Sequence, residues 1–182
     1  MINFIIKAIN FIDTKILNNK KYSHDYSFKE LIRAGYIILA RNDTFKLSNL
    51  FISGYWKHAI FCINSNYIVE ATANGVVKNK IEDTLSKYKY FIILKPLFAS
   101  DKDRLIATRW VLRQVGKQYD YYFSISNEQL YCSELIYHAY SFIKNIRFNM
   151  INIFDEILLL PNSLKDNNFW EVIYDSRSRK DN

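Results

Sequence analysis

His58-Ala59-Ile60-Phe61-Cys62-Ile63, then Asn64-Ser65-Asn66, then Tyr67-Ile68-Val69-Glu70-Ala71: two apolar runs broken by three polar residues. Polar residues between two such runs read as a β-hairpin. The length of the loop decides what the hairpin carries. With three loop residues, Ile63 faces Tyr67, Ile60 faces Glu70 and His58 faces Thr72. Side chains alternate along a strand, so His58 and Glu70 then share a face as diagonal neighbours, with Cα atoms about 7–8 Å apart. A glutamate side chain bridges that gap to an imidazole nitrogen. A two-residue loop would turn Glu70 to the opposite face and part the pair. Each residue alone has a duller explanation. A lone strand histidine is usually structural, and Glu70 could face solvent from a half-exposed strand, because burying it without a partner is costly.

The rest of the chain alternates similar short elements. Ser27-Phe28-Lys29-Glu30 has capping-box spacing for a short helix that Gly35 would end. Tyr36 to Ala40 reads as a buried strand, and Asn42-Asp43 turns the chain. Phe45 to Ile52 reads as a short helix closed by Gly54. Asn74-Gly75 is a turn signal before Val76-Val77. Tyr90 to Leu94 is another strand ending near Pro96. Ser100 and Asp103 cap a helix running to Val115, with Leu105, Trp110 and Leu112 among its apolar residues and Gly116 as its stop. Ser133 to Ile143 forms a second long helix with Leu135, Ile136 and Ala139 inward. Pro161 sits in a late loop, and Trp170 to Tyr174 forms a last strand. Strands in the middle with helices on both sides make an α+β domain.

Cys132 lies where a loop becomes that second helix. The positive end of a helix favours a thiolate, and a nearby imidazolium favours it further; the thiolate is the reacting species. A buried free cysteine is equally a common inert core residue. Cys62, mid-strand between Phe61 and Ile63, shares the His58 face by parity but stands about 13 Å along the strand, too far for proton transfer. His138, six residues beyond Cys132, falls well around the helix, and His24 lies in a polar loop.

Composition narrows the class. The chain has 182 residues with 49% hydrophobic content, enough for one domain with a substantial core. Two cysteines argue against a disulfide scaffold, and no Cys/His spacing suits zinc, so no metal or cofactor is expected. No apolar run reaches the length that spans a bilayer. Ile2, Ile5, Ile6 and Ile9 recur at helical spacing in an apolar start that makes a poor signal peptide, so the expected location is cytoplasmic or peripheral to a membrane. The net charge of +7 favours anionic partners in principle. The basic residues are spread out, however, with small clusters at Lys15, Lys20 and Lys21 and at Arg177, Arg179 and Lys180. Nucleic acid is therefore not the expected partner.

Five short motifs in order resemble one family. They are Gly35-Tyr36-Ile37-Ile38-Leu39; Trp56-Lys57-His58-Ala59; Val69-Glu70-Ala71 with Gly75-Val76; Gly116-Lys117-Gln118-Tyr119-Asp120; and Tyr131-Cys132-Ser133-Glu134-Leu135. The chain resembles the circularly permuted branch of the NlpC-like, papain-fold superfamily, in particular its YiiX-like members with their poxvirus relatives. The lecithin retinol acyltransferases are more distant members. In ordinary papain-like enzymes the nucleophile precedes the histidine; here the order His58, Glu70, Cys132 is the permuted one. The resemblance implies a papain-like α+β domain, an antiparallel sheet packed against the nucleophile helix. It also implies a Cys132–His58–Glu70 triad, with Tyr131 helping to line the pocket. The family usually has Gly-Asp before the first strand, where this chain has Gly35-Tyr36, which bears on pocket polarity and the fit of that strand.

On this reading residues 1–34 are an N-terminal helical segment, 35–174 the catalytic domain and 175–182 a polar tail. The expected activity is a cysteine hydrolase or acyltransferase acting on an amide, thioester or ester. Cys132, His58 and Glu70 would be catalytic, and Tyr131, Trp56 and Tyr119 would form the substrate pocket. Tyr55, Trp56, Tyr119 to Phe123 and Tyr131 would line a groove for an acyl or lipid-linked substrate, with possible peripheral membrane contact. The alternatives are a silent lipid-binding module of the same fold and a cell-wall peptide amidase, for which the substrate would be a peptide.

Overall fold

A computed structural model describes residues 21–42, 54–120, 129–143, 148, 150–153, 156–165 and 168–178. The helices expected over Met1 to Phe11 and Phe45 to Ile52, and the aromatic run Tyr121 to Phe123, lie outside these residues.

Six strands form one antiparallel sheet: β1 (Ile37–Arg41), β2 (His58–Cys62), β3 (Tyr67–Thr72), β4 (Gly75–Lys80), β5 (Tyr90–Pro96) and β8 (Trp170–Asp175). Their order across the sheet is β4-β3-β2-β1-β5-β8. A separate small hairpin pairs β6 (Ile151–Ile153) with β7 (Glu156–Leu158). Among the described residues four α-helices accompany them: α1 (Ile81–Leu85), α2 (Asp101–Leu112), α3 (Cys132–Tyr140) and α4 (Pro161–Lys165). The chain has an α+β fold.

The central strands are near-continuous apolar runs because both faces of the sheet are covered. Alternation then divides the core into two halves. Ile37, Leu39, Phe61, Val69, Ile92 and Leu94 pack toward α3, whose Leu135, Ile136 and Ala139 are fully buried. Ile38, Ile60, Cys62, Ile68, Phe91 and Ile93 pack on the other face, against Phe28, Ile32 and the α1 residues Ile81 and Leu85.

Local chemistry explains most element ends. Ser100 and Asp103 form the expected capping box at the start of α2. That helix stops at Leu112, three residues short of the expected Val115, and leaves Leu105 and Leu112 exposed. The first helical segment is a 3₁₀ turn over Tyr26–Leu31, capped by Asp25 and not by Ser27. It ends at Leu31, before Gly35, because the chain must extend to enter β1. Pro161 opens α4, where proline's missing N–H is harmless at the first helical position. Two glycines are required. A side chain on Gly75 (φ 94°) would strike the Lys117 carbonyl, which accepts from Val76 N–H at 2.8 Å. One on Gly35 (φ 84°) would strike Arg104 and Tyr140, whose hydroxyl donates to the Gly35 carbonyl.

Candidate active site

The β2–β3 hairpin has the register that a three-residue loop dictates. Phe61 pairs with Val69 and Cys62 with Ile68, and Ile63 N–H donates to the Tyr67 carbonyl at 2.9 Å. The loop is held by Asn64 Oδ1, which accepts from the N–H groups of Asn66 at 2.8 Å and Tyr67 at 2.9 Å. The ladder pairs stop short of His58, although β2 continues along β1 with Ala40 opposite His58. At that end the Cys132 terminus of α3 meets the sheet. His58 and Glu70 come from one face and Cys132 from the other.

His58 Nε2 lies 2.8 Å from Glu70 Oε2. Since a carboxylate only accepts, Nε2 carries a proton, and Nδ1 is the nitrogen left for Cys132. Glu70 is 2% exposed, so the solvent-facing explanation for this residue fails. Its other oxygen accepts from Thr84 Oγ1 at 3.0 Å and Asn79 Nδ2 at 3.1 Å. Three donors answer the burial. Desolvation alone would raise the carboxyl's pKa, but the hydrogen bonds and charge of His58, with Asn79 and Thr84, hold it below its ordinary value.

The same balance governs the other two groups. Burial pushes the His58 imidazole toward its neutral form, and hydrogen bonding to Cys132 and Glu70 reverses this, taking its pKa up to about 10. Burial pushes the Cys132 thiol up, and the His58 hydrogen bond and charge, the Ala59 N–H and the Ser133 hydroxyl bring it below its ordinary value. Cys132 is the first residue of α3, where the helix dipole adds to this. Both shifts act in the direction of a thiolate beside an imidazolium. Cys62 is the opposite case: burial alone acts on it, and its thiol is pushed far up.

Sequence reasoning missed four contributors. Asn79 and Thr84 hold Glu70, and Tyr88 stacks on His58 with ring centroids 5.7 Å apart and planes 14° apart. His24, expected in a polar loop, is half-buried: its Nε2 meets the carbonyls of Tyr88 at 2.9 Å and Leu85 at 3.2 Å. One signal was available. A two-residue turn at Ala73-Asn74 continues β4 to Lys80 and puts Asn79 diagonal to Glu70 on the same face.

The aromatic residues assigned to the pocket divide. Trp56 is fully buried in the sheet–helix core, and Tyr131 is 3% exposed with its phenol oxygen accepting from Leu159 N–H at 3.2 Å. Both are buried wall behind the site: Trp56 belongs to the same core cluster as Phe61 and Tyr140, and Tyr131 is nearly inaccessible. Tyr119 is half-buried and bridges to Leu130 just before the helix. Tyr36, the departure from the family pattern, is buried in the core; its ring lies 5.5 Å from the Arg104 guanidinium and its carbonyl accepts from Cys62 N–H.

Residues 31–174 match the family described as permuted papain-like amidase enzymes, the YaeF/YiiX, C92 family. This chain belongs to that family. It is thus a cysteine hydrolase of the amidase type, and the order of histidine before cysteine is the permuted order. Among solved structures the fold is similar to that of a protein titled metalloprotein yiiX from Escherichia coli O157:H7. The TM-score is 0.66 at 16% identity over 78% of this chain and 96% of that one. No curated protein matches the chain. Among the described residues no group of three or more His, Cys, Asp and Glu stands close enough to hold a metal ion. No helix among them is long and apolar enough to cross a membrane.

Proposed function

We propose that the chain hydrolyses an amide bond of a peptide or peptide-like substrate, with Cys132 as nucleophile, His58 as acid and base, and Glu70 orienting His58. The supporting observation is the continuous buried chain Glu70–His58–Cys132, anchored at the start of α3. The Cys132 thiolate attacks the carbonyl carbon. The oxyanion that forms meets the Cys132 backbone N–H, which as the first in the helix has no intrahelical acceptor. His58, already protonated, gives its proton to the leaving nitrogen as the C–N bond breaks. It then takes a proton from water, whose oxygen attacks the thioester and releases the acid and Cys132. Glu70 keeps the imidazole in one plane and tautomer throughout.

The family's amidase chemistry favours a peptide or similar substrate. With Trp56 and Tyr131 inside the core, an aromatic groove for an acyl chain loses two of its proposed walls. Lipid-linked amides are therefore a second arm of the test and not the first expectation. The experiment is labelling by iodoacetamide at pH 6, read by mass spectrometry. Cys132 should be modified in the wild type. In His58→Ala the rate should fall about 100-fold as the thiol returns to its ordinary range. Equal labelling of the two proteins would refute the pair. Turnover is then followed on soluble peptide amides and on lipid-linked amides, and a clear preference for the second would move the assignment to an acylated substrate.

A further inference from the structure

We propose that Tyr88 is a positioning residue for His58: its ring face sets the plane of the imidazole, and His24 and Asn42 hold Tyr88 in place. The inference rests on the assignment of His58 and Cys132 above. Three observations carry it. The rings are nearly parallel, 14° apart, with centroids 5.7 Å apart. That is an offset stack in which a cationic imidazole faces an electron-rich ring. Tyr88 also lies within the field of both Glu70 and Cys132; burial and these two charges oppose its ionisation, so it stays a neutral phenol and cannot act as the base.

The backbone around Tyr88 is fixed from three sides, more than a loop residue of purely local purpose requires. His24 Nε2 faces two carbonyl oxygens, those of Tyr88 at 2.9 Å and Leu85 at 3.2 Å. Carbonyls only accept, so this nitrogen carries the proton and donates to both. The edge of the His24 ring rests on Phe91, 5.1 Å between centroids. Asn42, just past β1, brackets Tyr88: its amide nitrogen donates to the Lys87 carbonyl at 2.7 Å and its oxygen accepts from Lys89 N–H at 2.8 Å. Tyr88 N–H itself donates to Leu85 at 2.9 Å, closing the turn after α1. Because α1 also carries Thr84, one short segment supplies both the third donor to Glu70 and the ring against His58. The segment before β1 thereby reaches the site through His24, 34 residues away from His58 in sequence yet one residue removed in contact.

The test is the titration of His58 by NMR and the rate of Cys132 alkylation by iodoacetamide against pH, in Tyr88→Leu, Tyr88→Phe and His24→Phe. Tyr88→Leu should lower the His58 pKa by about 1 unit and displace the pH profile of Cys132 alkylation, both within the roughly 3- to 30-fold range in proton affinity spanned by a partly to fully desolvated cation–π contact. Tyr88→Phe should restore both, since it returns the ring without the hydroxyl. His24→Phe, which keeps the edge on Phe91 but loses both hydrogen bonds, should shift His58 in the same direction by less. It serves as the deciding variant should Tyr88→Leu fail to fold. An unchanged His58 titration in folded Tyr88→Leu, or in His24→Phe when it stands in, overturns the proposal. So does a Tyr88→Phe that behaves like Tyr88→Leu. A wild type whose Cys132 does not alkylate at pH 6 would instead strike the assignment of the nucleophile, and the His58 titration would still judge Tyr88.

Discussion

Among the described residues two histidine–glutamate pairs stand in the interior, and they differ in almost everything but composition. His58 and Glu70 meet across a hairpin at 2.8 Å; Glu134 and His138 meet along one helix, at i and i+4, at 3.3 Å. Both glutamates are almost wholly inaccessible, 2% and 1% exposed. Yet the Glu70 carboxyl is held below its ordinary pKa and that of Glu134 is raised. Burial raises each, so burial does not decide. Glu70 has three donors, led by the His58 ring. Glu134 has the His138 ring and the Tyr131 N–H, both at longer distances, and the buried Asp120 repels its charge. The first pair can remain fully ionised, and its second imidazole nitrogen faces a thiol. The second pair ties down the start of α3 through Tyr131 and its histidine ends among Trp110 and Tyr137. A His–Glu pair becomes an acid–base device only when the remaining nitrogen has something to deprotonate.

The sharpest way to break this comparison is to remove the charge from the first pair. Glu70→Gln keeps the shape but offers His58 an amide that can present its donor face. Turnover should fall about 10²–10⁴-fold, as when a carboxylate that orients a catalytic histidine is neutralised. Glu134→Gln should leave the rate of the folded protein within about threefold. Steady-state rates on the amide substrate found for the wild type check both. Equal losses in the two variants would erase the distinction.

The next effect is one of selectivity between the two cysteines. Both are buried, but only Cys132 has donors that stabilise a thiolate, while burial alone pushes Cys62 up. At pH 7 iodoacetamide should modify Cys132 about 100-fold faster than Cys62. Peptide mapping of partly alkylated protein measures the ratio, and a ratio at or below one would reverse the assignment.

Much of the first pair was legible because it is a matter of counting. The three-residue Asn64-Ser65-Asn66 loop fixes parity, and parity puts Glu70 beside His58 whatever surrounds them. What surrounds them was not legible. Asn79, Thr84 and Tyr88 arrive through β4, α1 and the turn after it, and α1 is only five residues long, with no pattern that outweighs a loop reading. His24 and Asn42 act on backbone carbonyls and N–H groups distant in sequence, which side-chain periodicity does not encode. The aromatic residues misled for a related reason: Tyr and Trp suit a wet rim and a dry core equally, and Trp56 and Tyr131 went to the core. The resemblance fared better than any single residue, since motif order survives where local preference is ambiguous.

The shifts of Cys132 and His58 also have a stability signature. Cys132, lowered from 9.0, adds stability as pH rises toward that value. His58, raised from 6.5 to about 10, contributes stability that is complete below 6.5 and lost as pH climbs to about 10. As pH approaches 9.0 the two slopes oppose each other; above 9.0, of the two, only the His58 loss remains. Urea midpoints of the wild type should therefore fall between pH 9 and 10 more steeply than those of Cys132→Ala, whose His58 has lost its thiolate partner. Parallel curves would mean that no ion pair forms.

The smallest expected effect lies in the second pair. His138 stands six residues beyond Cys132, about 9 Å along the helix and on a different side of it. Its contacts are the Glu134 carboxylate and the rings of Trp110 and Tyr137, at 5.9 and 5.1 Å between centroids. The hydrogen-bond partners of His58 and Glu70 lie elsewhere, at Cys132, Asn79 and Thr84. His138→Gln retains a donor for Glu134 and loses the ring packing, so stability should drop by about 0.5–1.5 kcal/mol, the scale of one hydrogen bond exchanged for a weaker one. Cys132 alkylation should stay within about twofold of wild type across pH 6 to 8, because neither the thiolate's donors nor the imidazolium beside it has changed. Urea unfolding and the alkylation profile test the two halves separately. A folded His138→Gln whose Cys132 reacts tenfold more slowly would show that the two histidine–glutamate pairs are coupled through the first turn of α3, and the contrast between them would have to be redrawn as one network.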